Sequence, residues 1–130
     1  MEKYGNLQHK SIPGPQIQVC AISPNLDSLV VEFGAVIDTA AVVTCVPETV
    51  ILKLDESKLA YSIRRVRGAV GKEATRKSFI VNLKIKDCVF ENIEVITLDK
   101  EYALIGRDIL NRYNIFFDGP NGIWGVEKNE

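Results

Sequence analysis

Apolar residues recur along the chain in short blocks, mostly with the two-residue period of half-buried β-strands. The segment 16–22, QIQVCAI, alternates apolar and polar side chains, and 88–98, CVFENIEVITL, does so over a longer stretch. Segments 29–38 and 42–46 contain longer apolar runs rich in β-branched residues, which are typical of buried strands. The pattern therefore predicts a mainly β protein.

Glycine and other turn-forming residues separate the predicted strands. The segment 60–85 reads as one long hairpin with a glycine-bearing tip at 68–71. The pair Asn121-Gly122 is a strong tight-turn signal, and it lies between the predicted strands 114–118 and 123–127. This spacing of short strands and turns is typical of a small barrel or sandwich.

Helical signals are few. Pro47 and the residues after it allow one or two helical turns, since proline suits the first helical position. The segment 102–113 begins as a strand, breaks at Gly106 and continues as a short helix. We expect a single domain over residues 16–127, preceded by a flexible leader at 1–15.

Composition and charge limit the function classes. The chain has 130 residues, 46% of them hydrophobic and 25% charged, and its sixteen basic and seventeen acidic residues leave a net charge of −1. This charge is not that of a nucleic-acid-binding protein. The start of the chain lacks the apolar core of a signal peptide, and the most apolar window, 29–47, contains Glu32 and Asp38. We therefore expect neither a nucleic-acid partner nor a membrane anchor.

Cysteine and histidine usage narrows the candidate chemistry further. Cys20, Cys45 and Cys88 are widely spaced in apolar contexts, which predicts reduced thiols in a cytoplasmic protein, with a disulfide pair as the alternative. The single histidine, His9, lies in the polar leader. Metal-binding Cys and His spacings and the phosphate-binding loop motif are absent from the sequence. If the chain is catalytic, carboxylates are the candidate groups.

One carboxylate stands out by its surroundings. In GAVIDTAAVVTC, residues 34–45, Asp38 lies between two runs of small apolar residues. An ionised carboxylate in apolar surroundings is costly unless it is paired or hydrogen-bonded. A turn-capping aspartate is the structural alternative to a functional one.

Two motifs together resemble the retropepsin-like aspartic proteases. AVIDTAAVVTCVP, residues 35–47, resembles the active-site loop of that family, and ALIGRDIL, residues 103–110, resembles its second signature. The hairpin between them lies where the family has its flap. The resemblance covers residues 16–127 and implies a retropepsin-like closed β-barrel, one half of an acid protease, with one short C-terminal helix. It is closer to a cellular, prokaryote-like member than to a viral one.

The resemblance implies a symmetric active site. Hydrolysis by this family needs two carboxylates that share one proton, and this chain carries one Asp-Thr motif. The second acid would then be Asp38 of another copy, which makes the enzyme a twofold homodimer acting on peptides without a metal or other cofactor. The C-terminal strand around Trp124 would supply part of the dimer sheet.

The resemblance implies a role for each residue of this chain that matches the family's motifs. Asp38 would be the catalytic carboxylate, Thr39 would brace the paired loops, and Ala41 is the small residue that follows. The residues implied as the flap tip, which would close on an extended peptide, are Gly68, Ala69, Val70 and Gly71. The residues implied behind the site are Ile105, Gly106, Arg107 and Asp108, with Arg107 anchoring the helix by a charge-assisted hydrogen bond and Asp108 also compatible with a simple helix start.

The chain departs from the family pattern at two positions. Ala40 stands where the family has glycine, and Val42 stands where many members have an aspartate that pairs with the helix arginine. These departures keep open a weakly active or inactive member that binds peptides or serves assembly. A monomeric β-barrel that is unrelated to proteases is a third alternative.

The hairpin also carries a run of basic residues, which predicts either a solvated face or a preference for acidic substrates. These residues are Arg64, Arg65, Arg67, Lys72, Arg76 and Lys77.

Overall fold

The computed structural model describes residues 1–26, 28–67 and 73–127. Most of the described chain is β-structure. The strands are β1 (Glu2–Gly5), β2 (Gly14–Ile22), β3 (Val30–Ile37), β4 (Cys45–Pro47), β5 (Tyr61–Arg67), β6 (Glu73–Ile85), β7 (Cys88–Leu98), β8 (Ala103–Ile105), β9 (Asn114–Asp118) and β10 (Ile123–Glu127). The helices are α1 (Glu48–Lys53), a single 3-10 turn (Glu56–Lys58) and α2 (Arg107–Leu110).

The strands form one sheet that closes into a barrel. Their order is β5-β6-β7-β4-β8-β3-β2-β1-β10-β9, and β6 also pairs with β2, so the path from β6 through β7, β4, β8, β3 and β2 returns to β6. Alternate residues of β2 and β6 face the interior. The most deeply buried of them are Val19, Ala21, Val81 and Leu83. The mainly β closed barrel predicted from the sequence is confirmed.

The amino-terminal segment differs from the expected flexible leader. Its strand β1 is paired on both edges, with β2 at Tyr4↔Pro15 and with β10 at Glu2↔Trp124. The loop that follows is also tied to the barrel, because the Leu7 N–H donates to Gln16 Oε1 at 3.0 Å. Main-chain pairing therefore orders part of a segment that has too few apolar residues to show a strand pattern.

The last two strands of the chain form a carboxy-terminal hairpin. Strands β9 and β10 pair antiparallel around a turn in which Gly122 has φ +63°, a left-handed conformation that favours glycine. The Trp124 side chain is buried, and its indole N–H donates to the Gln16 carbonyl at 3.2 Å. Within the described residues, none of the helices is long and apolar enough to cross a lipid bilayer.

Candidate active site

Asp38 follows directly after a buried strand. The last three residues of β3, up to Ile37, are buried, and β3 pairs in parallel with β8 at Ile37↔Ile105. The Asp38 N–H donates to the Ile105 carbonyl at 3.0 Å, so the main-chain pairing continues one residue beyond the strand. This pairing places the Asp38 carboxyl group, which is half-buried, at the end of a rigid parallel ladder.

The residues after Asp38 form a tight loop around its carboxyl group. The Ala40 N–H donates to Asp38 Oδ1 at 2.9 Å, and the Ala41 N–H donates to the Asp38 carbonyl at 3.2 Å. A short side chain that accepts a hydrogen bond from the main chain two residues on is the usual aspartate turn. The contact orients one carboxylate oxygen and leaves the other without a protein donor among the described residues.

The loop rests on the start of α2 through main-chain contacts. The N–H groups of Arg107 and Asp108 donate to the carbonyls of Ala41 and Val42 at 2.8 and 3.2 Å. Gly106 lies at the closest approach, because a Cβ added there would come within 2.6 Å of the Val43 carbonyl carbon. Only glycine leaves enough room for the loop and the helix to meet at this distance.

A buried polar network supports this junction from the inside. The fully buried Thr44 donates its hydroxyl to Asp108 Oδ1 at 2.8 Å and its N–H to Asp108 Oδ2 at 3.2 Å. The Thr44 hydroxyl in turn accepts the Gly106 N–H at 3.1 Å, and the Ile109 N–H donates to Asp108 Oδ1 at 3.0 Å. Thr44 and Asp108 therefore join the Asp38 loop to α2 with every buried polar group of this network paired.

Comparison with known proteins assigns the family. A family model described as "gag-polyprotein putative aspartyl protease" matches residues 30–112, more than half of the chain and including both sequence motifs. The chain belongs to this aspartyl protease family. The third alternative from the sequence, a barrel unrelated to proteases, is therefore wrong. No match was found among curated proteins.

Two solved structures support the same fold. The solution structure of simian foamy virus protease is 18% identical with a TM-score of 0.52, over 75% of this chain and 92% of that one. The foamy viral protease-reverse transcriptase with an RNA/DNA hybrid is 17% identical with a TM-score of 0.54, over 89% of this chain and 13% of that one. A retropepsin-like aspartic protease from Rickettsia conorii is also similar, at 20% identity and a TM-score of 0.48, over 80% of this chain and 85% of that one.

The helix anchor of this family member differs from the one expected. The sequence predicted that the Arg107 side chain would hold α2, but Arg107 is exposed, and in the described part of the chain its guanidinium takes part in no hydrogen bond or ion pair. The anchor is the Asp108 carboxylate, and its donor is Thr44. Ile105 and Gly106 lie directly behind the loop. Thr44 stands in the first motif, but its residue type alone did not show this role.

Cys45 lies close to the Asp38 loop, and its thiol is unreactive at neutral pH. Burial raises the pKa of its thiol to about 11, and the carboxylates of Asp108 and Asp38 contribute to the same rise. The thiol stays protonated at neutral pH and donates to the Val43 carbonyl at 3.6 Å. All three cysteines are free thiols, and the described residues contain no cluster of His, Cys, Asp and Glu that could hold a metal ion.

Residues 61–65 of β5 and 73–77 of β6 are exposed, and side chains connect the hairpin to its neighbours. Glu94 of β7 accepts the Arg64 Nε–H at 2.9 Å and the Ser78 hydroxyl at 2.7 Å, and the hydrogen bonds from Ser78 and Arg64 lower the pKa of Glu94. Lys77 makes a second ion pair, with Glu56, at 3.5 Å. The residues predicted as the flap tip, Gly68, Ala69, Val70 and Gly71, lie outside the described residues.

Proposed function

We propose that the chain is a homodimeric aspartic endopeptidase in which Asp38 of each subunit supplies one half of a catalytic pair. The two carboxylates would lie about 3 Å apart and share one proton, because like charges at that distance cannot both ionise. One carboxylate then acts as general base on a water molecule, and the other donates a proton to the scissile carbonyl. The pair titrates as a unit, which predicts a bell-shaped pH–rate profile with its optimum at acidic to near-neutral pH.

The hydrogen bonding of the two aspartates in the motifs supports a second subunit. Asp108, the other motif aspartate, has both carboxylate oxygens bonded to Thr44, and one of them also accepts the Ile109 N–H. Those bonds hold Asp108 in the role of a helix anchor and leave it unsuited to activate water. Asp38 keeps one oxygen available, so the acid that completes the pair is best supplied by Asp38 of the partner subunit.

The backbone at Ala40 is compatible with this chemistry. Among the described residues, a positive φ occurs at Asp55, Lys86, Asn92 and Gly122, and Ala40 is not one of them. The methyl group at the usual glycine position therefore adds no backbone strain. Its N–H still reaches the Asp38 carboxylate at 2.9 Å.

The remaining roles follow from the same proposal. Thr39, which is exposed in the single chain, would brace the two catalytic loops across the twofold axis. The β5–β6 hairpin would act as the flap and hold an extended peptide by strand addition. The free cysteines fit a reducing cytoplasmic compartment, and the net charge of −1 gives no electrostatic support for a nucleic-acid partner.

The decisive test is Asp38→Asn, with Asp99→Asn as the matched control. The introduced amide would keep an oxygen for the Ala40 N–H, so the fold should survive while peptide cleavage falls by at least about 10³-fold. Asp99 is exposed just after β7, and its replacement should leave the cleavage rate unchanged. The measurement is initial-rate cleavage of an unfolded protein between pH 3 and pH 8. Equal activity of Asp38→Asn and the parent would overturn the proposal.

A mixing experiment tests the shared pair separately. Adding a ninefold excess of Asp38→Asn chain should leave about a tenth of the activity per parent chain, because most parent chains then sit in mixed dimers with one competent acid. The same excess of Asp99→Asn should have no such effect. If the activity per parent chain does not change when excess Asp38→Asn chain is added, a single chain is sufficient for cleavage and the proposed twofold pair is wrong.

The non-catalytic alternative is favoured by one observation. Ala40 is exposed beside the carboxylate, and Val42, at the position where many members have aspartate, is 65% exposed. If these side chains crowd the substrate, the chain would bind extended peptides without cleaving them. Ala40→Gly separates the two candidates: a protein that stays inactive from pH 3 to pH 8 in both forms supports the binding function, and an appreciable gain of activity supports the protease.

A further inference from the structure

The two faces of the β5–β6 hairpin lead to different parts of the molecule. In the register of the hairpin, Tyr61 lies opposite Phe79. The Phe79 side chain is buried in the core, so this face continues the interior of the barrel. Successive side chains of a strand alternate between faces, so the neighbouring pairs lie on the other side. We call this side the outer face of the hairpin, and it carries Ser62, Ser78, Arg64 and Arg76.

The outer face extends across the sheet to the Asp38 loop. Ser78 pairs with Ile96 of β7, and Ile96 pairs with Cys45 of β4, so these side chains lie on the same side of the sheet. The Asp38 carboxylate contributes to the raised pKa of the Cys45 thiol, which places the two groups near each other. Neighbouring strands are about 4.8 Å apart, so about 10 Å of sheet separates Cys45 from Ser78. The outer face and the candidate catalytic group therefore border the same surface.

Two arginines lie directly opposite each other on the outer face. The register pairs Arg64 with Arg76, and like charges at directly opposed positions destabilise a sheet. Glu94 balances one of these charges, because its carboxylate accepts the Arg64 Nε–H at 2.9 Å. Arg76 is exposed, and among the described residues it makes no hydrogen bond or ion pair. The pair therefore keeps one positive charge that a carboxylate from outside the chain would balance.

The two guanidinium groups are suited to binding a carboxylate. An arginine presents five N–H donors in a planar fork that matches both oxygens of a carboxylate. The contact with Glu94 uses the Nε–H of Arg64, which leaves its terminal NH2 groups available in the described part of the chain. The Ser78 hydroxyl donates to Glu94 at 2.7 Å and holds that carboxylate in place. Glu94 thus positions Arg64 beside Arg76 without using the donors of Arg76.

Two other basic side chains of the hairpin, those of Arg65 and Lys77, lie on the opposite face. Lys77 forms an ion pair with Glu56 of the 3-10 turn at 3.5 Å. Arg65 lies opposite Thr75 in the register, on the same side of the hairpin as Lys77. The basic residues of the hairpin are therefore divided between two faces, and Arg65 is an arginine of the same hairpin that does not lie on the outer face.

We propose that Arg64 and Arg76 form a subsite for an acidic side chain of the substrate. The chain then prefers extended peptides that carry glutamate or aspartate about two to four residues from the scissile bond. An extended peptide advances about 3.3 Å per residue, so about three residues cover the separation between the Asp38 loop and the hairpin. This inference rests on the proposed function, because it assigns a substrate class to the site that contains Asp38.

The test measures peptide affinity and peptide cleavage separately. The peptides share one apolar scissile site and carry glutamate, glutamine or lysine at each position up to four residues from it. Affinity is measured by fluorescence anisotropy with the Asp38→Asn chain, and kcat/KM is measured with the parent. At the preferred position, the glutamate peptide should bind and be cleaved at least about 10-fold better than the glutamine peptide, because charge-assisted hydrogen bonds are stronger than neutral ones.

Arg76→Gln should abolish this preference and leave the affinity for the glutamine peptide almost unchanged. Arg65→Gln is the matched control, because it removes the same charge from the opposite face of the same hairpin. It should keep the preference, whereas a general electrostatic attraction would weaken equally in both variants. Arg76→Glu should shift the preference to the lysine peptide, a change that a merely structural role would not produce. Both arginines are exposed, and a thermal melt checks that each variant is folded.

The outcomes separate the acidic subsite from the proposed function. A preference that is lost in Arg76→Gln and kept in Arg65→Gln supports the subsite. If the parent shows no preference for glutamate, or if Arg76→Gln keeps the preference, or if both variants lose it equally, the subsite is wrong, and continued cleavage leaves the endopeptidase standing. If the chain binds the glutamate peptide selectively but cleaves no peptide, the subsite stands and the endopeptidase is wrong. A chain that neither binds nor cleaves any of the peptides overturns both.

Discussion

Two regions of the molecule, the loop–helix junction and the β5–β6 hairpin, are built in opposite ways. The loop–helix junction, residues 38–44 together with 105–108, is held by main-chain hydrogen bonds and by the buried pair Thr44 and Asp108. The β5–β6 hairpin has exposed apolar residues at Tyr61 and Ile63, and its contacts with β7 include the exposed ion pair between Arg64 and Glu94. The first region holds the Asp38 loop and α2 in one geometry through buried contacts, whereas the second presents exposed side chains to the solvent.

The difference shows which substitutions each region tolerates. Buried main-chain contacts have little room to adjust, since neither partner is the flexible end of a side chain. An exposed ion pair contributes little to stability, because water screens the charges and two long side chains lose conformational freedom. We therefore expect stability effects to fall steeply from the junction to the hairpin.

The largest effect is expected for Gly106→Ala. The added Cβ would lie 2.6 Å from the Val43 carbonyl carbon and 2.7 Å from its oxygen, and both atoms belong to the main chain. Separating the loop from α2 should lower the free energy of unfolding by about 3 kcal/mol, measured by urea denaturation. Gly119→Ala is the control, because an added Cβ there meets nothing within 4 Å. Equal stability of the two variants would mean that the junction is not tightly packed.

Thr44→Val should have the next largest effect. Valine keeps the shape of threonine but leaves the Gly106 N–H without its acceptor and the Asp108 carboxylate without one donor. An unpaired buried polar group costs about 1 to 3 kcal/mol, so the free energy of unfolding, measured by urea denaturation, should fall by about 2 kcal/mol.

Thr97→Val measures the same chemistry at the base of the hairpin. The buried Thr97 hydroxyl makes one contact, with the Lys77 carbonyl at 3.3 Å, and its loss should cost about 1 kcal/mol or less in the same urea titration. If Thr97→Val destabilises the chain as much as Thr44→Val, the contrast between the two regions does not hold for buried hydroxyl groups.

Several strands could be located from the sequence because their signals, such as the alternation over 88–98 and the tight turn at Asn121-Gly122, are local. The segments 88–98, 114–118 and 123–127 coincide with β7, β9 and β10. The Asp38 loop was also identifiable, because its residues are contiguous and their order resembles a known family. Alternation and motif order are both properties of short stretches of chain, and each can be recognised without knowing what packs against them.

Features that depend on distant partners were not predictable in this way. The apolar run at 42–46 indicated a strand, but Val42 lies in the loop because its carbonyl binds the Asp108 N–H from another part of the chain. The strand β1 has no apolar alternation, and it forms because β2 and β10 supply both of its edges. The sequence predicted Arg107 as the helix anchor, whereas Asp108 has this role because Thr44, which is distant in the sequence, lies beside it in the fold.

The smallest effect is expected for Glu94→Gln, which removes the ion pair at the base of the hairpin. The pKa of Glu94 is lowered from 4.5, first by the Ser78 hydroxyl and then by Arg64, so its ionised form stabilises the fold at pH 7. Because the side chain is exposed, the parent should exceed Glu94→Gln in stability by less than about 1 kcal/mol.

The pH dependence of that difference distinguishes an electrostatic contact from simple packing. A carboxyl group with a lowered pKa in the folded state stabilises above its usual pKa, and it loses that contribution as pH falls through the folded-state value. The difference between the parent and Glu94→Gln should therefore be constant from pH 7 to about 5 and should shrink below about 4.5. Glu91→Gln, exposed on the same strand, should leave stability unchanged throughout. A difference that persists undiminished at pH 3 would show that Glu94 acts by packing, and the hairpin would then resemble the junction more closely than its exposure indicates.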